Sequence, residues 1–82
     1  MTQPYLVVNH HKPEECEAIE PGFNRLPDHL IGTNFYCPCP YGEHSFYMVV
    51  EGDSSEDVIQ GLPLEFQPGT RAVPIEIFHL GA

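Results

Sequence analysis

Short runs rich in β-branched and aromatic residues are spaced along the chain, separated by clusters of proline, glycine and acids. Residues 4–11 (PYLVVNHH) are β-branched at their centre, and residues 33–40 and 44–51 are both rich in aromatic or β-branched side chains. Within residues 70–80, Val73, Ile75 and Ile77 alternate with Pro74 and Glu76. Each run predicts a strand. Tyr41-Gly42-Glu43 is a short link containing the glycine a tight turn requires, which makes the second and third strands a hairpin. Two helices are predicted between these strands. The first opens at Pro13, carries Glu14, Glu15 and Glu17 where the helix dipole favours acids, and breaks near Glu20 at Pro21-Gly22. Phe23-Asn24-Arg25-Leu26 adds a further turn before Pro27. The second covers residues 55–62, with several N-cap side chains ahead of Val58, Ile59 and Leu62 at helical spacing.

The order βαββαβ predicts an α+β fold of the ferredoxin-like type. It would be a single domain over residues 1–82, a four-stranded antiparallel sheet in the order 4-1-3-2 with two helices on one face. The first and third strands would be parallel neighbours. Strand periodicity then assigns Phe46, Met48 and Val50 to the helix-covered face, with Leu6, Val8 and His10 of the first strand and Val73, Ile75, Ile77 and His79 of the last. The open face would show Tyr5, Val7, Tyr47, Val49 and Phe78 among Asn9, His11, Glu51 and Glu76. A patch that apolar marks an interface or ligand groove, which predicts a homodimer packed through the open sheet face.

Composition narrows the partners. Three Lys and Arg against twelve Asp and Glu give a formal charge of -9, which repels phosphate backbones and anionic lipid headgroups and so excludes nucleic acid. No apolar run approaches the roughly 20 residues needed to span a bilayer, and Met1-Thr2-Gln3-Pro4 lacks a basic, apolar leader, so a cytoplasmic protein without membrane attachment is expected. Cys16, Cys37 and Cys39 are odd in number and expected to be reduced.

The run GTNFYCPCPYGEHSFYMVVEGDSSED and the later LPLEF and PIEIF segments resemble a family of short proteins described only as a domain of unknown function. More widely, the chain resembles the dimeric α+β barrel superfamily, whose ferredoxin-like subunits pack their open sheet faces around a central cavity. The resemblance extends over nearly the whole chain and implies fold and dimer. The superfamily includes cofactor-free monooxygenases, isomerases and heme-dependent enzymes, whose catalytic residues have no matching motif here.

Cys37-Pro38-Cys39-Pro40 supports two readings. In the first, the prolines blunt an edge strand by deleting N–H donors from one side, and both thiols pack as small hydrophobes on the covered face with Phe35. In the second, Cys37, Cys39 and His44 ligate a soft metal ion such as zinc or copper(I), with Cys16 as a fourth candidate. His10 and His11 fall at the other end of the predicted sheet, near Glu51 and Asp53, pointing to opposite faces. Three functions follow. The first is a small homodimeric binding or accessory protein holding a small apolar or aromatic ligand in a cavity lined by Tyr5, Asn9, Tyr47, Glu51 and Glu76. The second is a cofactor-free enzyme of monooxygenase or isomerase type, moving a proton with Glu51, Glu76 or His11. The third is a metal-binding protein built on the Cys-x-Cys hairpin. No cofactor beyond that metal is specified by the residues.

Overall fold

The computed structural model describes residues 1–81. Its centre is one antiparallel sheet of three strands, β1 (Gln3–His10), β2 (Ser45–Gly52) and β3 (Thr70–Pro74), in the order β2-β1-β3. Two short α-helices, α1 (Cys16–Ile19) and α2 (Ser55–Gln60), complete the regular elements together with several single turns of 3-10 helix.

The four-stranded ferredoxin-like arrangement is therefore not the fold of this chain. Residues 33–40 form no strand and touch the sheet through the isolated bridge Tyr36↔Tyr47, a reciprocal pair of backbone hydrogen bonds of 2.9 and 2.8 Å. The prolines explain the difference. Proline has no N–H to give a ladder and holds φ near the value that starts a turn. Pro38 caps a 3-10 turn over Cys39–Tyr41 in which the Tyr41 N–H donates to the Pro38 carbonyl at 2.8 Å. Gly42 leaves that turn at φ 96°, in the left-handed region glycine adopts without strain.

Losing that strand also changes the direction of the one that follows. β2 runs antiparallel to β1, not parallel, in a register that pairs His10 with Ser45 and Gln3 with Gly52. The end of β1 thus meets the start of β2, and the His11 N–H donates to the His44 carbonyl at 3.2 Å.

Burial corrects the expected faces as well. Phe46, Met48 and Val50 lie in the core, and the register places Asn9, Val7 and Tyr5 of β1 beside them, where Leu6, Val8 and His10 were expected. The Leu6-Val7-Val8 run is apolar on both faces, so alternation alone leaves its phase open, and the partner strand decides it. β3 turns Ala72 inward and ends at Pro74, which leaves Glu76, Ile77, Phe78 and His79 exposed beyond it.

The rest of the core comes from the connections. Phe35, Phe46 and Phe66 pack within 5.8 Å of one another by ring centroid, and Phe23 stands edge-on to Phe35 and Phe66. Gly22 is buried against this cluster, where an added Cβ would sit 2.5 Å from Phe66 Cε1. Ser54 caps α2, its Oγ accepting from the Asp57 N–H at 3.1 Å, and Val58 carries the helix onto the sheet. Among the described residues, no helix is long and apolar enough to cross a membrane.

Candidate metal centre

Two short segments with mirrored spacing meet where β1 ends and β2 begins. One runs from His11 to Cys16 and the other from Cys39 to His44, each with four residues between its cysteine and histidine. In the first, Pro13 opens a 3-10 turn over Pro13–Glu15, and the Glu15 carboxylate accepts from the Lys12 N–H at 2.7 Å. The chain folds back on itself there, and the Cys16 thiol comes under the His11 ring. In the second, the turn at Cys39–Tyr41 returns the chain to β2 and leaves the Cys39 sulfur 3.6 Å from the Ser45 carbonyl.

The result is a cluster of four half-buried side chains, His11, Cys16, Cys39 and His44, whose donor atoms all lie within 4.8 Å of one another. The Cys16 sulfur is 3.3 Å from His11 Nε2 and 3.2 Å from His44 Nδ1, and the Cys39 sulfur is 3.4 Å from His11 Nε2. A tetrahedral zinc ion with Zn–S near 2.3 Å and Zn–N near 2.0–2.1 Å spaces its donors about 3.3 to 3.8 Å apart. The observed contacts match the edges of that tetrahedron to within a few tenths of an ångström.

A fixed chain of hydrogen bonds sets the protonation of His11. The Thr70 hydroxyl donates to the Phe66 carbonyl, so its oxygen is left to accept. Asn9, 1% exposed, donates through Nδ2 to that oxygen and to the Pro68 carbonyl, both at 2.8 Å. With both amide protons committed, Asn9 Oδ1 faces His11 Nδ1 at 2.7 Å and can only accept, so the proton of the imidazole is on Nδ1. His11 Nε2 then presents its lone pair to the two sulfurs. An outer residue that holds a histidine in one tautomer and orientation is the usual support of a metal ligand.

Electrostatics point the same way. Burial, and after it the neighbouring His44, hold the His11 pKa below its ordinary 6.5, so the ring is neutral at neutral pH. Burial pushes the Cys16 thiol up, and the adjacent Cys39 thiol pushes it further. Two thiolates this close repel unless a cation lies between them. A thiol raised in this way is also poorly suited to be a nucleophile activated by histidine.

The residues singled out in the sequence are divided by the fold. Cys39 and His44 belong to the cluster, while Cys37 is exposed outside it and not packed on the covered face with Phe35. His11, expected at the far end of the sheet, is brought in by the antiparallel pairing, and Cys16 completes the set. Tyr5 and Asn9 face the core, whereas Tyr47 and Glu51 alternate to the opposite face and Glu76 lies beyond β3, so the five do not line one cavity within the chain. The mirrored His-x4-Cys and Cys-x4-His spacings are the signal that identifies the set. Comparison with known proteins found no matching family model, no similar curated protein and no similar solved structure.

Proposed function

We propose that the chain is a small metal-binding protein whose His11, Cys16, Cys39 and His44 hold one zinc ion. The observation that carries this reading is the convergence of two sulfurs and two imidazole nitrogens within 4.8 Å, at half-buried positions. Two thiolates and two neutral imidazoles suit a tetrahedral d10 ion, and four protein ligands make a closed, structural type of site. The formal charge of -9 favours the approach of a cation. The ion would fasten residues 33–44, which have little regular structure, to the end of β1 and the start of α1.

The test is elemental analysis of the intact protein reconstituted with zinc and desalted. One zinc per chain is expected, with far less retained after desalting by Cys16→Ser or Cys39→Ser and full retention by Cys37→Ser. Zinc retained equally by all four proteins would place the ion elsewhere and reject the site.

The expected contact with a second copy is a separate reading, supported by the exposed Tyr36, Val49 and Ile77, which line one shallow groove on the open sheet face. Light scattering of wild type and Val49→Lys tests it. A wild type that is monomeric at micromolar concentration would reject it.

A further inference from the structure

The proposed zinc site uses two thiols, yet a third lies beside it. Cys37 is exposed and stands two residues before the proposed ligand Cys39. Cys16, Cys37, Cys39 and His11 open together onto one cleft of about 220 Å3, whose remaining wall is formed by Ile19, Glu20, Phe23, Phe35, Pro40 and Phe46. His44 is not part of that wall. The exposed Cys37 thus shares with the proposed ligands His11, Cys16 and Cys39 one cleft whose remaining wall is mostly apolar, with Glu20 the one carboxylate on it.

We propose that Cys37 is the entry and exit ligand of this site, so that the protein takes zinc from, and returns it to, small thiol or chelate carriers. The inference rests on the zinc reading given above. Loading proceeds by two ligand exchanges without redox change. In the first, the Cys37 sulfur forms a bond to a zinc ion held by a carrier thiolate. The carrier–zinc bond breaks, and the proton of Cys37 leaves with the carrier as its thiol. In the second, the Cys39 sulfur replaces that of Cys37 on the ion, and the Cys39 proton passes to Cys37. Cys16 then binds as its thiolate, its proton leaving with the last carrier ligand as that ligand departs, and His11 and His44 close the tetrahedron. Release runs the same steps backwards. Zinc tolerates a fifth ligand during such steps, which lets the incoming sulfur bind before the outgoing one departs.

A closed site without such a relay would keep its ion until the surrounding turns opened. A thiol two residues from a ligand instead lets exchange occur in the folded protein.

The experiment is stopped-flow transfer of zinc from the loaded full chain to the chromophoric chelator 4-(2-pyridylazo)resorcinol, and of zinc from its glutathione complex to the metal-free chain. Wild type is compared with Cys37→Ser and Cys37→Ala. Both variants are expected to retain wild-type zinc stoichiometry and equilibrium affinity. Both should exchange at least about tenfold more slowly in each direction, a change of about 1.4 kcal/mol in the barrier. Exchange rates equal to wild type overturn the proposal while leaving the zinc site standing. A loss of affinity in both variants also overturns it, since Cys37 would then be a resident ligand. A wild type that binds no zinc removes the site itself, and the relay with it.

Discussion

Asn9 is where fold and site are most tightly joined, and Asn9→Leu separates them. Leucine has a similar volume and suits a position facing Phe46, but it makes none of the three hydrogen bonds of the amide. Thr70 still donates to Phe66, so the groups left without partners are the Pro68 carbonyl and the His11 Nδ1–H. An orphaned buried polar group costs about 1 to 3 kcal/mol, and these are partly buried, so the metal-free variant should lose about 2 to 4 kcal/mol. Without Oδ1 the His11 ring is free to turn and to move its proton to Nε2, and zinc affinity should fall about 10- to 100-fold. Asn9→Asp is the companion variant. It keeps an acceptor for His11 while losing the donors to Pro68 and Thr70, so it should lose stability without zinc yet keep most of the affinity. Urea unfolding without metal and chelator competition with zinc measure the two quantities separately. A folded Asn9→Leu protein with wild-type affinity, or an Asn9→Asp protein that loses as much affinity as Asn9→Leu, would refute the reasoning.

Removing zinc from the loaded protein with a chelator should lower the unfolding free energy by about 4 kcal/mol relative to a sample with free zinc near a thousand times its Kd, read as a large fall in Tm. Zinc binding should release protons at neutral pH, because thiols bind the ion as thiolates, whereas His11 is already neutral there and contributes none. Binding must therefore weaken as pH falls, and calorimetry in buffers of different ionisation enthalpy counts the protons; a count near zero would exclude paired thiolate ligation. Gly22→Ala should destabilise the chain by about 1 to 3 kcal/mol, since the new methyl group meets the Phe66 ring, and a neutral result in thermal unfolding would show that the aromatic cluster repacks freely.

Local features were the readily legible part of the fold. Ser54 and the acids after it announce α2, and the alternation of Phe46, Met48 and Val50 gives the core face of β2. Features that depend on a distant partner were not legible. Leu6-Val7-Val8 is apolar on both faces, so only pairing with β2 could choose Val7 for the core. Pro38 and Pro40 suit both an edge strand and a turn, and the choice between these decides whether β2 runs with β1 or against it. The site inherits the same ambiguity. Cys39 and His44 are close in sequence and Cys16 was already a candidate, but His11 joins them only because the strands are antiparallel. From the sequence Asn9 reads as a cavity residue, and its role toward His11 depends on Thr70 and Pro68, which are close only in the folded chain.

X-ray absorption at the zinc edge of the reconstituted protein tests the central claim most directly, because sulfur and nitrogen ligands separate by distance. The account predicts about two sulfurs near 2.3 Å and about two imidazole nitrogens near 2.0–2.1 Å, with one sulfur lost in Cys16→Ser. A first shell of oxygen and nitrogen alone, unchanged by Cys16→Ser, would contradict it.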